Sequence, residues 1–240
     1  MTHQKFKMFI DFDGTITKED VGESIFRRFG DKVKVEKIIT DLLSNKISAK
    51  QSWIELCNSV DVIDLNLLNE FIFKMEVDPW FQTLVEFCEN NNIPIIVLSD
   101  GFDYYIDIIL KREKLNGLKY FSNHLIISSQ NRLIPEFPYY DPNSRHSANS
   151  KRNHIINNSS DEEFTIYIGD GNSDKDPILF CDIIFAKKSL LDHCEKERIS
   201  FSPYNSFYDV IGKLPVILKK KNLKKRHQAA LKRREAYLSE

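Results

Sequence analysis

Two aspartates stand two residues apart in the segment DFDGT at residues 11–15, directly after a short apolar run. In a strand, residues two apart point to the same side, so the carboxylates of Asp11 and Asp13 can face one ligand. Converging carboxylates repel each other and are tolerated where a cation neutralises them or where one of them carries a proton. The spacing therefore indicates a cation site or an acid–base pair, although Asp-Gly is also common in ordinary turns.

A second acidic segment, GDGNSD at residues 169–174, follows another apolar run. Asp170 and Asp174 offer the hard oxygen ligands that suit Mg²⁺, which binds through one or two carboxylates and keeps several waters. Taken alone, this segment would also fit a glycine-rich turn. It becomes informative only in combination with the other polar segments.

Two further segments carry groups that can hold an anion such as phosphate. Ser99, Asp100 and Gly101 stand before a helical pattern, and the free N–H groups of a helix N-terminus attract anions. Ser99 would also suit the simpler task of capping that helix. Lys151 opens another short helical pattern and adds a positive charge, although a single lysine in such a place is usually only solvated.

All these polar segments accompany predicted strands and helices. Four short apolar runs bounded by polar residues are typical of buried strands: residues 6–12, 93–98, 164–168 and 183–186. Apolar residues with helical spacing predict helices at residues 81–88 and 102–110, the first capped by Asp78 and starting at Pro79. Alternating strands and helices predict an α/β fold with a parallel sheet, whose ligands bind beyond the carboxyl ends of the strands. Two acidic pairs, a serine and a lysine at that edge favour Mg²⁺-assisted phosphoryl transfer.

Two inserts interrupt the alternation. Residues 17–77 carry three apolar stripes with helical spacing and no strand pattern, which predicts an inserted helical module. Residues 120–141 alternate apolar and polar side chains around a polar centre, which predicts a small β-hairpin. We therefore expect a catalytic core of residues 1–16 and 78–212, a helical cap of residues 17–77 and a basic C-terminal tail of residues 213–240.

The cap is expected to close over the site and to select the substrate. Asp20, Glu23 and Arg27 lie near its entrance and are candidates for that task. The alternative is that these three residues form only the solvated face of the module.

Charge is divided unevenly along the chain. Its 240 residues contain 34 basic and 35 acidic side chains. Residues 213–240 hold ten of the basic and two of the acidic side chains, which leaves 24 and 33 in the remainder. Such a segment can bind nucleic acid through its phosphates, but we interpret it rather as a solubilising or docking extension. Deletion of residues 219–240 is then expected to leave the activity intact.

Composition excludes several classes of protein. A hydrophobic content of 42% with 17 phenylalanines excludes wholesale disorder. No apolar run approaches the ~20 residues that a membrane span needs, and no signal-peptide pattern begins the sequence. The four cysteines are widely spaced, so neither a zinc site nor a disulfide framework is indicated. We expect a cytoplasmic protein that binds no membrane.

The motifs DFDGT, SDG, Lys151 and GDGNSD, in this order, resemble the four motifs of the haloacid dehalogenase (HAD) superfamily of phosphatases. A helical insert after the first motif resembles the cap of the phosphoserine phosphatase branch. Within that branch the segments SDGFDYYI, FPYYD and IIFAKKSL are most similar to the 2-hydroxy-3-keto-5-methylthiopentenyl-1-phosphate phosphatase group. The resemblance covers roughly residues 6–210 and implies a HAD-like, Rossmann-like α/β fold.

The resemblance also implies a Mg²⁺-dependent phosphatase that acts on a small phosphorylated metabolite through an aspartyl phosphate. Asp11 would be the nucleophile and Asp13 the general acid and base. The implied phosphate-binding residues are Ser99 and Lys151, to which the anion site argued above adds Asp100 and Gly101. The implied metal site consists of Asp11, Asp13, Asp170 and Asp174, with Asp174 behind the direct ligands.

Three alternatives remain beside this interpretation. Phosphoserine as substrate, or transfer to another acceptor, is an alternative within the same fold, although Asp20 stands where phosphoserine phosphatases carry a longer Glu that contacts the substrate amine. A phospho-accepting signalling domain would be about half this length and would lack both the DxD pair and the helical insert. A non-catalytic scaffold with a nucleic-acid-binding tail would have no need of the complete motif set.

Overall fold

The computed structural model describes residues 4–144 and 146–238. Within them seven strands form one sheet in the order β4-β3-β2-β1-β5-β6-β7, with every neighbouring pair parallel except β3 and β4. The strands are β1 (Lys5–Asp11), β2 (Ile95–Phe102), β3 (Lys119–Ile127), β4 (Leu133–Glu136), β5 (Glu163–Gly169), β6 (Ile183–Ala186) and β7 (Ser202–Pro203). The predicted α/β class with a parallel sheet is confirmed. Its central strands are apolar along most of their length because both faces are covered.

Helices cover the sheet and fill the long insert. They are α1 (Val21–Phe29), α2 (Lys32–Leu43), α3 (Ala49–Asn58), α4 (Leu65–Phe73), α5 (Phe81–Asn90), α6 (Asp103–Arg112), α7 (Lys151–Asn157), α8 (Lys188–Lys196), α9 (Phe207–Leu218) and α10 (His227–Leu238). None of the helices in the described part of the chain is long and apolar enough to cross a membrane.

Helices α1–α4 occupy the predicted insert, and each begins at its own polar cap. The side chains of Asp20, Asp31, Ser48 and Asp64 each accept a hydrogen bond from a backbone N–H in the first turn of the helix that follows. The apolar faces of these helices share one core with β1 and α6. The insert therefore packs directly on the layer that carries the predicted catalytic residues.

Helix α5 starts later than its sequence pattern predicts. It begins at Phe81 rather than at Pro79, with Trp80 as its N-cap residue. The Asp78 carboxylate accepts from the N–H of Trp80 at 2.9 Å and from the N–H of Phe207 at 3.1 Å. Asp78 thus joins the start of α5 to the start of α9 instead of capping α5.

The predicted β-hairpin is present as β3 and β4, which pair from His124 with Glu136 to Ile127 with Leu133. Its first strand also pairs in parallel with β2, so the hairpin extends the main sheet and is not a separate insert. The N–H of Ile63 donates to the carbonyl of Asn131 at 2.9 Å, which ties the hairpin turn to the segment between α3 and α4.

The basic C-terminal segment differs from the free extension that we expected. Lys213 lies within α9, and α10 packs on the short helix Pro177–Phe180. Ala229 is fully buried, and the buried Arg233 pairs with Asp182 at 3.2 Å. Residues 213–238 therefore belong to the folded body, because part of their charge is satisfied inside it.

Candidate active site

The turn after β1 places the two aspartates of the first motif. Asp11 is the last residue of β1, and Gly14 has a φ of 74°, a conformation that favours glycine. A Cβ atom at Gly14 would lie 2.4 Å from Oδ2 of Asp170, so a side chain there would also collide with the second acidic segment. The glycine allows the first and fourth motifs to approach each other closely.

Lys151 lies at the centre of the site as the first residue of α7, and its side chain is fully buried. Its Nζ donates to Oδ1 of Asp11 at 2.5 Å, to Oδ1 of Asp174 at 2.8 Å and to Oγ of Ser173 at 2.9 Å. Burial opposes the charged form, but the carboxylates of Asp11 and Asp174 outweigh it and raise the pKa of Lys151. Lys151 is therefore an ammonium group shared by two carboxylates.

Three buried carboxylates converge beside this lysine. Oxygen atoms of Asp11, Asp170 and Asp174 all lie within 4.8 Å of one another, and among the described residues this is the acidic cluster with metal-binding spacing. Burial and repulsion from Asp174 raise the pKa of Asp11 in spite of Lys151. Lys151 does not offset the negative charge of all three carboxylates, and a cluster of hard oxygen donors with excess negative charge fits a cation such as Mg²⁺. The carboxylate of Asp13 lies outside the cluster.

Asp174 is occupied by bonds within the protein. Its Oδ2 accepts from the N–H groups of Asp170 at 2.9 Å and Gly171 at 3.0 Å, while its Oδ1 accepts from Lys151 and from the hydroxyl of Tyr167 at 2.6 Å. These bonds fix the loop that presents the Asp170 carboxylate. Each of the two carboxylate oxygens of Asp174 thus already accepts from two donors of the protein.

Asp13 is held by neutral donors. Its Oδ2 accepts from Oγ of Ser99 at 3.0 Å and from the hydroxyl of Tyr105 at 2.7 Å, and its Oδ1 accepts from the N–H of Val21 at 3.0 Å. Burial raises the pKa of Asp13, and these donors oppose the shift because they favour the charged form. The balance leaves the carboxyl group of Asp13 easier to protonate than that of an exposed aspartate.

The segment of residues 99–101 differs from its expected place at a helix N-terminus. Strand β2 continues to Phe102, which pairs with Asn123 after a bulge, and α6 begins only at Asp103. Ser99 remains beside Asp13, and its Oγ accepts from the N–H of Gly101 at 2.9 Å. Residues 99–101 therefore lie at the end of a strand, which corrects the prediction that they open a helix.

Asp100 turns away from Ser99 toward the loop that precedes Lys151. Its Oδ1 accepts from Oγ of Ser147 at 2.7 Å and from the N–H groups of Ala148 at 2.6 Å and Asn149 at 2.9 Å. The carboxylate of Asp100 is thus engaged by the protein itself, and it holds the loop that leads to Lys151.

The cap candidates separate into two groups. Asp20 is exposed at the start of α1, where its Oδ1 accepts from the N–H of Glu23 at 2.7 Å. Desolvation and repulsion from Asp13 raise the pKa of Asp20, which reflects how near the two carboxylates lie. Glu23 and Arg27 pair with each other at 2.7 Å on the exposed side of α1, and Arg27 also pairs with Glu36.

Three residues at the site were missed by the sequence analysis. The sequence pattern places Tyr105 in an apolar helix stripe and Tyr167 in an apolar strand, so it does not indicate a role for their hydroxyl groups. Lys188 donates to Oδ2 of Asp170 at 2.8 Å and to the carbonyl of Gly14 at 3.1 Å. Lys188 could have been predicted, because the lysines that follow the apolar run of residues 183–186 stand at the same edge of the sheet as the acidic motifs.

The fold and site define a hydrolase of known type. Residues 8–176 match the family model described as haloacid dehalogenase-like hydrolase, and the chain belongs to that family. It superimposes on a structure described as a phospho-aspartyl intermediate analogue of phosphoserine phosphatase with a TM-score of 0.69. The identity is 22%, and the match covers 88% of this chain and 99% of the other. The predicted HAD-like fold is confirmed.

Curated relatives agree on the enzyme class. A polyol phosphate phosphatase of Saccharomyces cerevisiae is 28% identical over 89% of this chain and 94% of its own length. A 2-hydroxy-3-keto-5-methylthiopentenyl-1-phosphate phosphatase of Bacillus mycoides is 29% identical over 90% of this chain and 98% of its own length. The predicted resemblance and the predicted class, a phosphoric monoester hydrolase of the HAD type, are confirmed.

Proposed function

We propose that the protein is a Mg²⁺-dependent phosphatase that hydrolyses a small organic phosphate monoester through an aspartyl-phosphate intermediate. The proposal rests on one observation, the convergence of Asp11, Asp170 and Asp174 within 4.8 Å around the ammonium of Lys151. In this proposal the carboxylates of Asp11 and Asp170 and the backbone carbonyl of Asp13 would hold Mg²⁺, and Asp174 orients the Asp170 loop. When bound, the ion supplies positive charge that offsets the charge on the phosphoryl oxygens.

The residues of the chain account for both half-reactions. In the first, a carboxylate oxygen of Asp11 attacks phosphorus, the ester P–O bond breaks, and Asp13 gives its proton to the departing oxygen. In the second, Asp13 takes a proton from the water whose oxygen attacks phosphorus, and the bond between Asp11 and phosphorus breaks to release inorganic phosphate. Ser99 and Lys151 orient the phosphoryl oxygens and offset their charge.

Helices α1–α4 would act as the cap over this site, with residues 1–16 and 78–212 as the catalytic core. Two contacts support this role, since the N–H of Val21 donates to Asp13 and Nε1 of Trp53 donates to Oδ2 of Asp100 at 3.4 Å. The insert thus contacts both sides of the site. Asp20, at the start of α1 and near Asp13, is the cap residue placed to meet a hydroxyl or amine of the substrate.

The names of the two relatives denote small phosphate esters, which supports a substrate of that class. The alternative preference for phosphoserine is less favoured, because the shorter side chain of Asp20 stands where a Glu would meet the amine. A panel of phosphorylated metabolites, assayed by release of inorganic phosphate, would identify the preferred ester.

The nucleophile is tested with Asp11→Asn. We expect turnover to fall at least about 10³-fold, because an amide cannot form the covalent intermediate. Enzyme quenched in acid during turnover of a ³²P-labelled ester should carry label that hydroxylamine removes, and the variant should carry none. Asp61→Asn, at an exposed position, is the matched control and should behave as the wild type.

The metal is tested by removing it. EDTA should abolish turnover and Mg²⁺ should restore it. Turnover by Asp11→Asn, or turnover in EDTA, would contradict the proposal.

A further inference from the structure

Tyr105 makes a contact that the proposed reaction does not yet explain. It lies in the first turn of α6, is 1% exposed, and packs its ring against Phe12 at a centroid distance of 6.1 Å. Its hydroxyl donates to Oδ2 of Asp13 at 2.7 Å, the same oxygen that accepts from Ser99 at 3.0 Å. A buried tyrosine therefore points its one polar atom at the residue proposed as general acid.

Gly101 makes this contact possible. A Cβ atom at this position would lie 1.5 Å from the Tyr105 hydroxyl and 2.8 Å from Oδ2 of Asp13. Any side chain at residue 101 would displace the tyrosine from the carboxylate. The hydrogen bond thus depends on two positions that lie on different elements, the end of β2 and the start of α6.

Ser99 cannot hold Asp13 and the substrate at the same time. A serine hydroxyl has one proton to donate, and in the proposed reaction Ser99 donates it to a phosphoryl oxygen. At that moment Oδ2 of Asp13 keeps Tyr105 as its hydroxyl donor, while Val21 holds Oδ1.

We propose that Tyr105 is a positioning residue that keeps the Asp13 carboxyl in line with the leaving oxygen once Ser99 has turned to the phosphate. The inference rests on the proposed function, since it assigns a task within that phosphoryl transfer. Tyr105 itself gives up no proton. When the ester P–O bond breaks, its electron pair stays on the ester oxygen, the proton of Asp13 moves to that oxygen, and the phosphoryl group becomes bonded to Asp11.

This role predicts a dependence on the leaving group. An alkoxide needs the proton in order to depart, whereas p-nitrophenolate is stable enough to leave without it. Loss of positioning should therefore lower kcat/KM, which reports the formation of the aspartyl phosphate, for an alkyl phosphate and leave kcat/KM for p-nitrophenyl phosphate almost unaffected. A purely structural role of Tyr105 would slow both substrates alike.

The test compares Tyr105→Phe with the wild type on glycerol 3-phosphate and p-nitrophenyl phosphate. We expect kcat/KM to fall about 10- to 100-fold for the first ester and less than about threefold for the second, a part of the 10²–10⁴ that general acid catalysis contributes. Tyr104→Phe is the matched control, because its hydroxyl donates instead to Asn69 at 2.8 Å on the exposed side. This control should match the wild type on both esters.

A double variant shows whether Tyr105 acts through Asp13. In an Asp13→Asn background, Tyr105→Phe should cause no further loss with the alkyl ester, because the general acid is already absent. Equal losses on both esters, no loss on either, or an undiminished loss in that background would overturn the inference. Those results come from an active wild-type enzyme, so they differ from failure of the proposed function, which would appear as a wild type without Mg²⁺-dependent turnover.

Discussion

Lys151 lies between the carboxylates of Asp11 and Asp174, whereas Asp13 is surrounded by hydroxyl and N–H donors. Even with the lysine at 2.5 Å, burial and repulsion from Asp174 keep the pKa of Asp11 raised. A further cation beside Asp11 would favour its carboxylate form, which is the form that attacks phosphorus in the proposed reaction. Asp13 has no ammonium partner among the described residues, which suits a group that must gain and lose a proton.

His154 acts as a structural residue behind the site. Asn149 donates through Nδ2 to the carbonyls of Ser99 at 2.7 Å and Phe121 at 3.0 Å, so its Oδ1 accepts from Nε2 of His154 at 2.7 Å. The imidazole also stacks on the Phe121 ring at 4.0 Å. Burial lowers its pKa to about 4, so the folded protein keeps His154 neutral as the donor to Asn149.

His154 should make the protein less stable in mild acid. Below the ordinary pKa of 6.5 the unfolded chain takes up a proton, whereas the folded chain does not until about pH 4, so stability is lost as the pH falls between these values. The loss at pH 4.5 is about 2 kcal/mol. Urea unfolding at pH 7 and pH 4.5 should show this decrease in the wild type and a smaller one in His154→Gln.

The exposed His227 gives the matched control for this measurement. His227→Gln should keep the full decrease in the free energy of unfolding between pH 7 and pH 4.5. If His154→Gln and His227→Gln had the same pH dependence, the acid sensitivity would come from other groups.

Among the elements, the end of β2 organises the site from both of its sides. Successive side chains of a strand point in opposite directions, so Ser99 reaches Asp13 while Asp100 reaches the loop of residues 147–149. That loop leads directly into α7 and Lys151. One strand end therefore sets the distance between Asp13, the proposed general acid, on one side and Lys151, proposed to bind phosphate, on the other.

Asp100→Ala should disturb Lys151 without touching it. The substitution leaves the Ser147 hydroxyl and the N–H groups of Ala148 and Asn149 without their acceptor, so the loop before α7 loosens. We expect kcat/KM to fall about 10²-fold, because small displacements of a positioned group are costly to the rate. The melting temperature should also fall.

Asp103→Ala separates lost stability from lost positioning. Asp103 accepts from the N–H of Leu125 at 3.0 Å and pairs with His124, away from the catalytic carboxylates. This variant should lose stability but keep most of its kcat/KM. Equal losses of activity in the two variants would show that Asp100 has no special link to Lys151.

The sheet was predictable from sequence because strands buried on both faces are apolar throughout and end in polar turns. The motif residues followed, since parallel strands present their carboxyl ends at one edge. The partner of Asp13 was not predictable in this way. The helical stripe places Tyr105 in the core, but only the packing of α6 on the turn after β1, with Gly101 between them, directs its hydroxyl to Asp13.

The start of α5 was not predictable either, because Asp78 binds the N–H of Phe207 at the start of α9. These two residues are 129 apart in the sequence.

At the scale of the whole molecule, several side chains of the basic C-terminal segment are engaged in hydrogen bonds with the rest of the protein. Lys225 donates to the carbonyls of Asp161 and Glu163, and Arg226 donates to those of Ile178 and Cys181. Removal of residues 219–240 would expose the surface that α10 covers. We therefore no longer expect this deletion to be neutral; we expect it to lower the stability of the protein.

Arg233 carries the sharpest prediction for this region. It pairs with Asp182 in the interior, where the Asp182 carboxylate also accepts from the N–H and hydroxyl of Thr165 near the amino end of β5. Removing one partner of a buried ion pair typically costs about 3–5 kcal/mol, because the other charge stays buried. Arg233→Met should lower the free energy of unfolding in urea by a value of that order. Its kcat should be unchanged while it is folded, since the site lies at the carboxyl end of the same strand.

Lys232→Met provides the comparison one residue away. Lys232 pairs with Glu235 at 2.9 Å in an exposed position, and such pairs contribute little because water already solvates both charges. This variant should unfold at nearly the urea concentration of the wild type. If Arg233→Met unfolded there as well, α10 would be an appendage whose charge serves another task. If Arg233→Met instead unfolded at a much lower urea concentration than Lys232→Met, α10 would be shown to stabilise the folded protein.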